Sequence, residues 1–184
     1  MSENRIVIES LASYLKTEIP ELQDVIEEWP NNGEDLQYPS LSIFTVDAKE
    51  VHRPPVIHKQ EELEDGTLKV QYKVGQLNYS LQLDAWCSNK VERGEIYQKI
   101  MDAFNKDFIE NEGNLQLTIT LENYYGILAH YEILGYSYVS EPQVGNWRIR
   151  FTVNGDFEKI KEVIRPKIND IVLVDEIGDS VEIE

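Results

Sequence analysis

Apolar and polar residues alternate along several stretches of this chain, and strict alternation is typical of a β-strand with one buried face and one polar face. Two such stretches are 77–83 and 147–153, and in the second of them Arg148 and Arg150 lie on the polar face. Further strands are predicted at 41–46, 68–74, 115–121 and 125–133. The alternation therefore predicts an antiparallel sheet of about five to six strands.

Apolar residues at helical spacing predict the elements that cover this sheet. A first helix is expected over 6–15, and weaker helical spacing continues through 19–29. A second helix follows the strand at 77–83 almost without a loop. It is expected to begin at Asn89, because Asn89 can cap free backbone N–H groups and Glu92 can complete a capping box. The apolar stripe of this helix consists of Ile96, Ile100 and Phe104.

A third, short helix is expected after 147–153. The sequence Asn154-Gly155-Asp156 is a turn signal and a helix cap, and Pro166 ends the element. Between them, apolar residues recur at helical spacing at Phe157, Ile160, Val163 and Ile164.

Two segments are predicted to be turns or loops. Gly75-Gln76 separates two alternating stretches and fits a type II′ hairpin. Residues 47–66 carry Pro54 and Pro55 and an acidic cluster, and this segment is expected to form a protruding loop or arm. The chain ends in an acidic extension, 175–184. With no convincing linker, residues 1–184 are predicted to form one α+β domain in which the sheet packs against two to three helices.

The formal net charge is −17, from 17 basic and 34 acidic residues. Such acidity argues against a protein that grips nucleic acid or anionic membranes, since both demand a cationic surface. The first residues lack a basic run followed by an apolar stretch, so we expect no signal peptide and synthesis in the cytoplasm. The single cysteine, Cys87, is expected to be reduced and buried.

Candidate chemistry is sparse. The chain has three histidines, His52, His58 and His130, and no HExxH, paired CxxC, G-x-S-x-G or phosphate-binding glycine motif. The first two histidines are expected in a solvated loop, and His130 is expected to be structural. We therefore predict no catalytic residue, no metal and no cofactor.

A basic cluster stands out against the acidic background: Lys159, Lys161, Arg165 and Lys167. Two interpretations are equally open: cations favoured near a helix C-terminus, or an attachment surface for an acidic patch on a neighbouring copy. Arg148 and Arg150 extend the cluster if the fold brings their strand face alongside. Together with the start of the arm, these residues form the candidate subunit or neck interface: His52, Arg53, Pro54, Pro55, Arg148, Arg150, Lys159, Lys161, Arg165 and Lys167.

The order of these elements resembles the tail terminator (tail completion) proteins of long-tailed bacteriophages. The similar features are an N-terminal helix, the strand entry Tyr38-Pro39-Ser40-Leu41, an arm, and the strand-to-helix segment 81–104 that contains Asp84-Ala85-Trp86. The acidic extension after Val174 has no counterpart in that resemblance.

The resemblance implies a structural virion protein of the tail or neck, made in the host cytoplasm, that forms a six-membered ring on the tail tube. Such a ring ends tube growth and offers a docking face to the head connector. The implied partners are further copies of the chain, the tail tube protein and a head connector or neck protein, with the sheath as an additional candidate. DNA would pass without specific binding.

Two other interpretations stay open. The chain could be another neck or head-completion component, or a tube cap of a contractile injection apparatus. It could also be a soluble small-molecule-binding module or an enzyme whose site assembles only in space, which a deep apolar pocket with convergent polar groups would favour.

Overall fold

A computed structural model describes residues 3–27, 36–51, 54–105, 115–120, 125–141, 146–167, 173–174 and 180–181 of the chain. Two helices and a seven-stranded mixed sheet make up the fold, which confirms the predicted α+β class. The elements are α1 (Glu3–Glu18), β1 (Asp24–Glu27), β2 (Ser40–Val51), β3 (Val56–Glu62), β4 (Thr67–Cys87), α2 (Lys90–Asn105), β5 (Leu115–Thr120), β6 (Tyr125–Glu141), β7 (Asn146–Pro166), β8 (Leu173–Val174) and β9 (Ser180–Val181).

The main sheet has the strand order β1-β2-β4-β7-β6-β5, and β3 also pairs with β4. β1 runs parallel to β2, whereas the other described pairs are antiparallel. β4 and β7 each have 21 residues and pair along almost their whole length, which corresponds to about 70 Å. Each helix has 16 residues, about 24 Å, so the helices cover only part of these strands.

Both helices pack on one face of the sheet, here called the inner face. α1 buries Val7, Leu11 and Leu15, as its apolar spacing predicts. The Tyr131 hydroxyl donates a hydrogen bond to the Val7 carbonyl at 3.1 Å and thereby ties α1 to β6. The Tyr14 hydroxyl donates to the carbonyl of Ala103 in α2 at 2.8 Å. Buried side chains from both helices and the strands form one continuous core.

α2 begins as its capping signal predicts. The Asn89 side-chain oxygen accepts hydrogen bonds from the backbone N–H groups of Val91 and Glu92, at 2.9 and 3.0 Å. The Glu92 carboxylate reaches back to the backbone N–H of Ser88 at 2.6 Å, one residue before the expected partner. The predicted stripe is buried: Ile96, Ile100 and Phe104.

The prediction of a third helix after Asn154 is wrong, because β7 continues as a strand to Pro166. A glycine within a strand is destabilising unless something packs over it. Here the Phe157 ring fills the space above Gly155, since a Cβ added there would lie 2.7 Å from the ring. Pairing with β4 along this stretch then outweighs the helical spacing of the apolar residues.

The predicted hairpin at Gly75-Gln76 is also wrong. β4 runs without interruption through this site, and the pairing with β7 shifts between Lys73 and Gly75, which makes Val74 a bulge. Glycine is favoured both in tight turns and at β-bulges, so the residue that suggested a turn is also suited to a bulge. The hairpin turn lies earlier, between β3 and β4, where Gly66 has a φ of 78°.

Residues 47–66 are mainly strand rather than loop. β2 extends to Val51, and β3 occupies Val56–Glu62 with every side chain exposed. Because neither face of β3 is buried, its sequence carries no apolar alternation, and the strand was not recognisable. The weak pattern at 19–29 corresponds to the short strand β1, and the acidic extension lies largely outside the described residues.

β3 and the adjoining ends of β4 and β7 form a three-stranded extension of the sheet. We call it the ribbon, comprising residues 56–75 and 158–167, and we call the helix-covered remainder the body. The ribbon extends roughly 30 Å beyond the last fully buried residues of β7. Part of the segment predicted as a protruding loop, β3, therefore belongs to an extension of three paired strands.

Candidate assembly surface

The structure divides the predicted interface residues into separate groups. Lys159, Lys161, Arg165 and Lys167 all lie on the inner face of the ribbon, because alternate residues of a strand point to the same side. Arg148 and Arg150 lie on the outer face of the body, at least nine residues away, or about 30 Å. Pro54 and Pro55 lie between β2 and β3, while His52 and Arg53 lie outside the described residues.

The ribbon cations take part in contacts between strands. Lys159 Nζ lies 3.0 Å from Glu50 Oε1, and Lys167 Nζ lies 3.0 Å from Glu62 Oε1. The Arg165 guanidinium stacks over the Tyr72 ring at 5.3 Å from its centroid. Since β7 is a strand here, the interpretation of these residues as cations at a helix C-terminus is wrong.

The outer face of the ribbon is built from opposite charges. Lys69 Nζ lies 3.0 Å from Glu162 Oε1, and Lys73 Nζ lies 2.6 Å from Glu158 Oε2. Hydrogen bonds from Lys69 and then Gln71 lower the pKa of the Glu162 carboxyl below its usual range. Cross-strand pairs of this kind align neighbouring strands but contribute little stability when exposed.

Charge is distributed very unequally between ribbon and body. The ribbon contains 7 of the 17 basic residues and 6 of the 34 acidic residues, a formal charge of +1. The rest of the chain therefore carries 10 basic and 28 acidic residues, a formal charge of −18. The ribbon thus carries no net negative charge, so a negatively charged surface does not repel it.

The two body arginines serve a structural role that the sequence did not reveal. Arg150 forms a two-point contact with the fully buried carboxylate of Asp84, at 3.0 and 3.3 Å. Arg148 lies 3.7 Å from the same carboxylate and stacks over the Trp86 ring at 4.7 Å. An Asp within an apolar strand is the signal that could have identified this partner, because a buried carboxylate requires cations.

An aromatic surface lies where α2 meets the second half of β6. The rings of Tyr97 and Tyr136 are 4.8 Å apart, and those of Tyr136 and Tyr138 are 5.8 Å apart. Arg93 is buried, with its guanidinium 4.3 Å from the Tyr138 ring centroid and 5.1 Å from the Trp147 ring. Tyr136 and Tyr138 are nevertheless 50% and 52% exposed. We call this surface, with the neighbouring Leu134, the aromatic corner.

The groups that could perform chemistry are dispersed among the described residues. Cys87 is buried, as expected, and its burial, followed by the nearby Glu92, raises the pKa of the thiol to about 12. The described part of the chain holds no group of three or more His, Cys, Asp or Glu side chains placed to bind a metal ion. A polar depression of about 560 Å³ on the outer face is lined by Asp47, Asn78, His130, Glu132, Asn154 and Asp156, among others.

Neither α1 nor α2, the helices of the described chain, is long and apolar enough to cross a membrane. Comparisons of the sequence with models of known protein families and with curated proteins found no match.

Proposed function

We propose that this protein is a structural component of a phage tail or neck that forms a ring on the tail tube, ends its polymerisation and offers a docking face to the head connector. The proposal combines the resemblance of the element order to tail terminators with the surface of this fold. Its partners are further copies of the chain, the tube protein and a connector or neck protein.

The observation that carries the proposal is the ribbon. A strand extension of about 30 Å buries little apolar surface of its own, so its pairing gains little stability from a core. Val56, Ile57 and Ile164 of the ribbon are exposed by 59%, 56% and 62%. Contact with a second molecule would cover these side chains, and a protruding extension of this length suits contact between subunits.

Ring formation requires two different surfaces on each subunit, one for each neighbour. The ribbon and the aromatic corner meet this requirement, because they lie on different strands and near opposite ends of β7. Such a molecule associates through heterologous contacts, in which two different surfaces meet, rather than through an isologous contact, in which one surface meets its own copy. Closed rings are one outcome of such association.

The depression on the outer face gives little support to the alternative of a small-molecule-binding module. Small-molecule sites have mainly apolar walls with a few converging polar groups. The lining here is mostly polar and charged, including Asp47, Glu132 and Asp156.

The experiment that tests the function is the solution mass combined with negative-stain imaging and a capping assay. Six copies of the 21.4 kDa chain should give a particle of about 128 kDa with a ring shape. When added to a polymerising tail tube protein, the ring should shorten the tubes and appear at one end of them. A monomer at every concentration that leaves tube length unchanged would overturn the proposal.

A further inference from the structure

Several strand edges lack a ladder partner among the described strands, and two of them, at β3 and in the second half of β6, lie on opposite sides of the sheet. β3 pairs with β4 along one edge only. β6 pairs with β5 as far as Tyr131, so residues 135–141 have β7 on one side and no described strand on the other. Edges of this kind present rows of backbone donors and acceptors to which another strand can add.

β3 has seven residues and fits within the open edge of β6, which spans the ten residues 132–141. The two edges also match in their side chains. Five of the eight large apolar side chains that are exposed in the described chain flank these edges: Val56, Ile57, Leu134, Tyr136 and Tyr138. Ile57 and the two tyrosines also lie on the inner face of the sheet, so strand addition can bring them together.

The aromatic corner has the composition and rigidity of an interface centre. Tyr and Arg are enriched at the residues that dominate binding energy. The Arg93 guanidinium stacks on the Tyr138 ring. Tyr97 and Tyr136 share a side-chain hydrogen bond, which is the main cause of the raised pKa of the Tyr97 hydroxyl. The rings are therefore oriented before any partner binds, which lowers the entropy cost of association.

Charge favours the ribbon as the occupant of this surface. The described residues of the body include 8 basic and 15 acidic residues, a formal charge of −7, so two bodies repel one another, whereas a ribbon with a charge of +1 can approach a body without that penalty. The contact that minimises repulsion between two copies is therefore ribbon against body.

We propose that β3 of one copy adds to the 135–141 edge of a second copy, with Ile57 packed on Tyr136 and Tyr138. β3 then lies between its own β4 and the neighbour's β6, and the sheet continues from one subunit into the next. Ile149 of β7 lies beside Tyr138 of the aromatic corner, and Val163 of β7 lies in the ribbon. These two positions are 14 residues apart, so the two surfaces of one subunit are separated by about 46 Å along β7. This contact rests on the proposed function, because it specifies how the ring closes.

The experiment uses two paired variants of the full chain. Val56→Lys with Ile57→Lys places charges on the β3 edge, a substitution that blocks strand addition. Tyr136→Ser with Tyr138→Ser removes the aromatic contact. Each variant alone should be a monomer by light scattering, with the contact weakened about tenfold or more. Val46→Ser is the matched control, because Val46 is 60% exposed but lies in neither surface, and this variant should assemble like wild type.

The mixture of the two variants gives the decisive result. The β3 variant retains its aromatic corner, and the tyrosine variant retains its β3 edge, so an equimolar mixture should form dimers of about 43 kDa and nothing larger. Circular dichroism melting checks that each variant is folded, and Leu134→Lys replaces the tyrosine pair if that variant unfolds.

The outcomes separate this contact from the ring itself. Variants that assemble as well as wild type, or monomeric variants whose mixture stays monomeric, would overturn the proposed contact and leave the ring proposal intact. A wild-type protein that is itself monomeric at every concentration would overturn the ring and the contact together.

Discussion

The strands β4 and β7 pair with each other in both the body and the ribbon, yet the two regions are stabilised differently. In the body, alternate residues such as Leu81, Leu83 and Phe151 are fully buried under the helices. On the same face of the ribbon, exposed cross-strand ion pairs such as Lys167–Glu62 take their place. Burial of a large apolar side chain contributes about 1.5–3 kcal/mol, whereas an exposed ion pair contributes roughly 0–1 kcal/mol. The β4–β7 ladder is therefore strongly stabilised in the body and weakly stabilised in the ribbon.

The largest expected difference is between Phe151 and Val163, which lie on the inner face of the same strand. Phe151→Ala should lower the free energy of unfolding by about 3–5 kcal/mol, because it leaves a cavity among fully buried neighbours. Val163→Ala in the ribbon should cost less than about 1 kcal/mol. Urea denaturation measures both, and equal losses would show that the ribbon has a core of its own.

The buried carboxylate of Asp84 is the next test of the body. Asp84→Ala should cost about 3 kcal/mol or more, because Arg148 then stays buried without its counter-charge. Asp156→Ala on the same face is the control, since this exposed residue mainly accepts a hydrogen bond from Gln76, and it should cost about 0.5–1 kcal/mol. A similar loss for both variants in thermal melting would refute the structural role of the arginines.

Gly155 tests the boundary between the two regions. Gly155→Ala should cost about 1–3 kcal/mol, because the new methyl group would lie 2.7 Å from the Phe157 ring. Gly135→Ala is the matched control, as its added Cβ has no neighbour within 4 Å, and it should change stability by less than about 0.5 kcal/mol. The stability loss caused by Gly155→Ala should be smaller in a Phe157→Leu background. An equal loss there would argue against the contact between this position and the aromatic ring of Phe157.

The smallest expected effect concerns the ribbon pair Lys69–Glu162. The pKa of Glu162 is lowered from 4.5 in the folded chain, so its stabilising contribution is present above pH 4.5 and is lost as pH falls through the lowered value. Because both side chains are partly exposed, at 33% and 42%, solvent screening limits the effect of Glu162→Gln at neutral pH to roughly 0.5 kcal/mol. Amide hydrogen exchange of β3 should report this loss, and the exchange difference between wild type and variant should vanish as pH falls through the lowered pKa of Glu162. A loss that grows on acidification would contradict this assignment.

The body was largely predictable from the sequence, and the ribbon was not. The spacing of Val7, Leu11 and Leu15 and the cap at Asn89 determine the helices locally, because each pattern reflects burial against a single sheet face. In β3 both faces are exposed, so no periodicity marks the strand. At Phe157 to Ile164, helical spacing is outweighed by a ladder with β4 that is remote in sequence. Sequence-local reasoning cannot detect such long-range pairing.

The candidate surfaces show the same division. The basic cluster at Lys159 to Lys167 was recognisable as a group, and its members do share one face of the ribbon. The aromatic corner was missed, because Tyr97 belongs to a helix and Tyr136 to a strand about forty positions later in the chain. Arg148 and Arg150 were assigned to the surface because their partner Asp84 lies 64 and 66 positions earlier.

The absence of a loop between β4 and α2 has a mechanical consequence. β4 runs from the Gly66 turn at the tip of the ribbon to Cys87, and α2 begins at Lys90, three residues later. Only Ser88 and Asn89 separate β4 from α2, so a force on the ribbon can be transmitted along the extended backbone of β4 to the first turn of α2. In an assembled particle, the part of a pull on the ribbon that the ladders of β4 do not absorb would reach the Asn89 cap directly, so β4 and the start of α2 should move together.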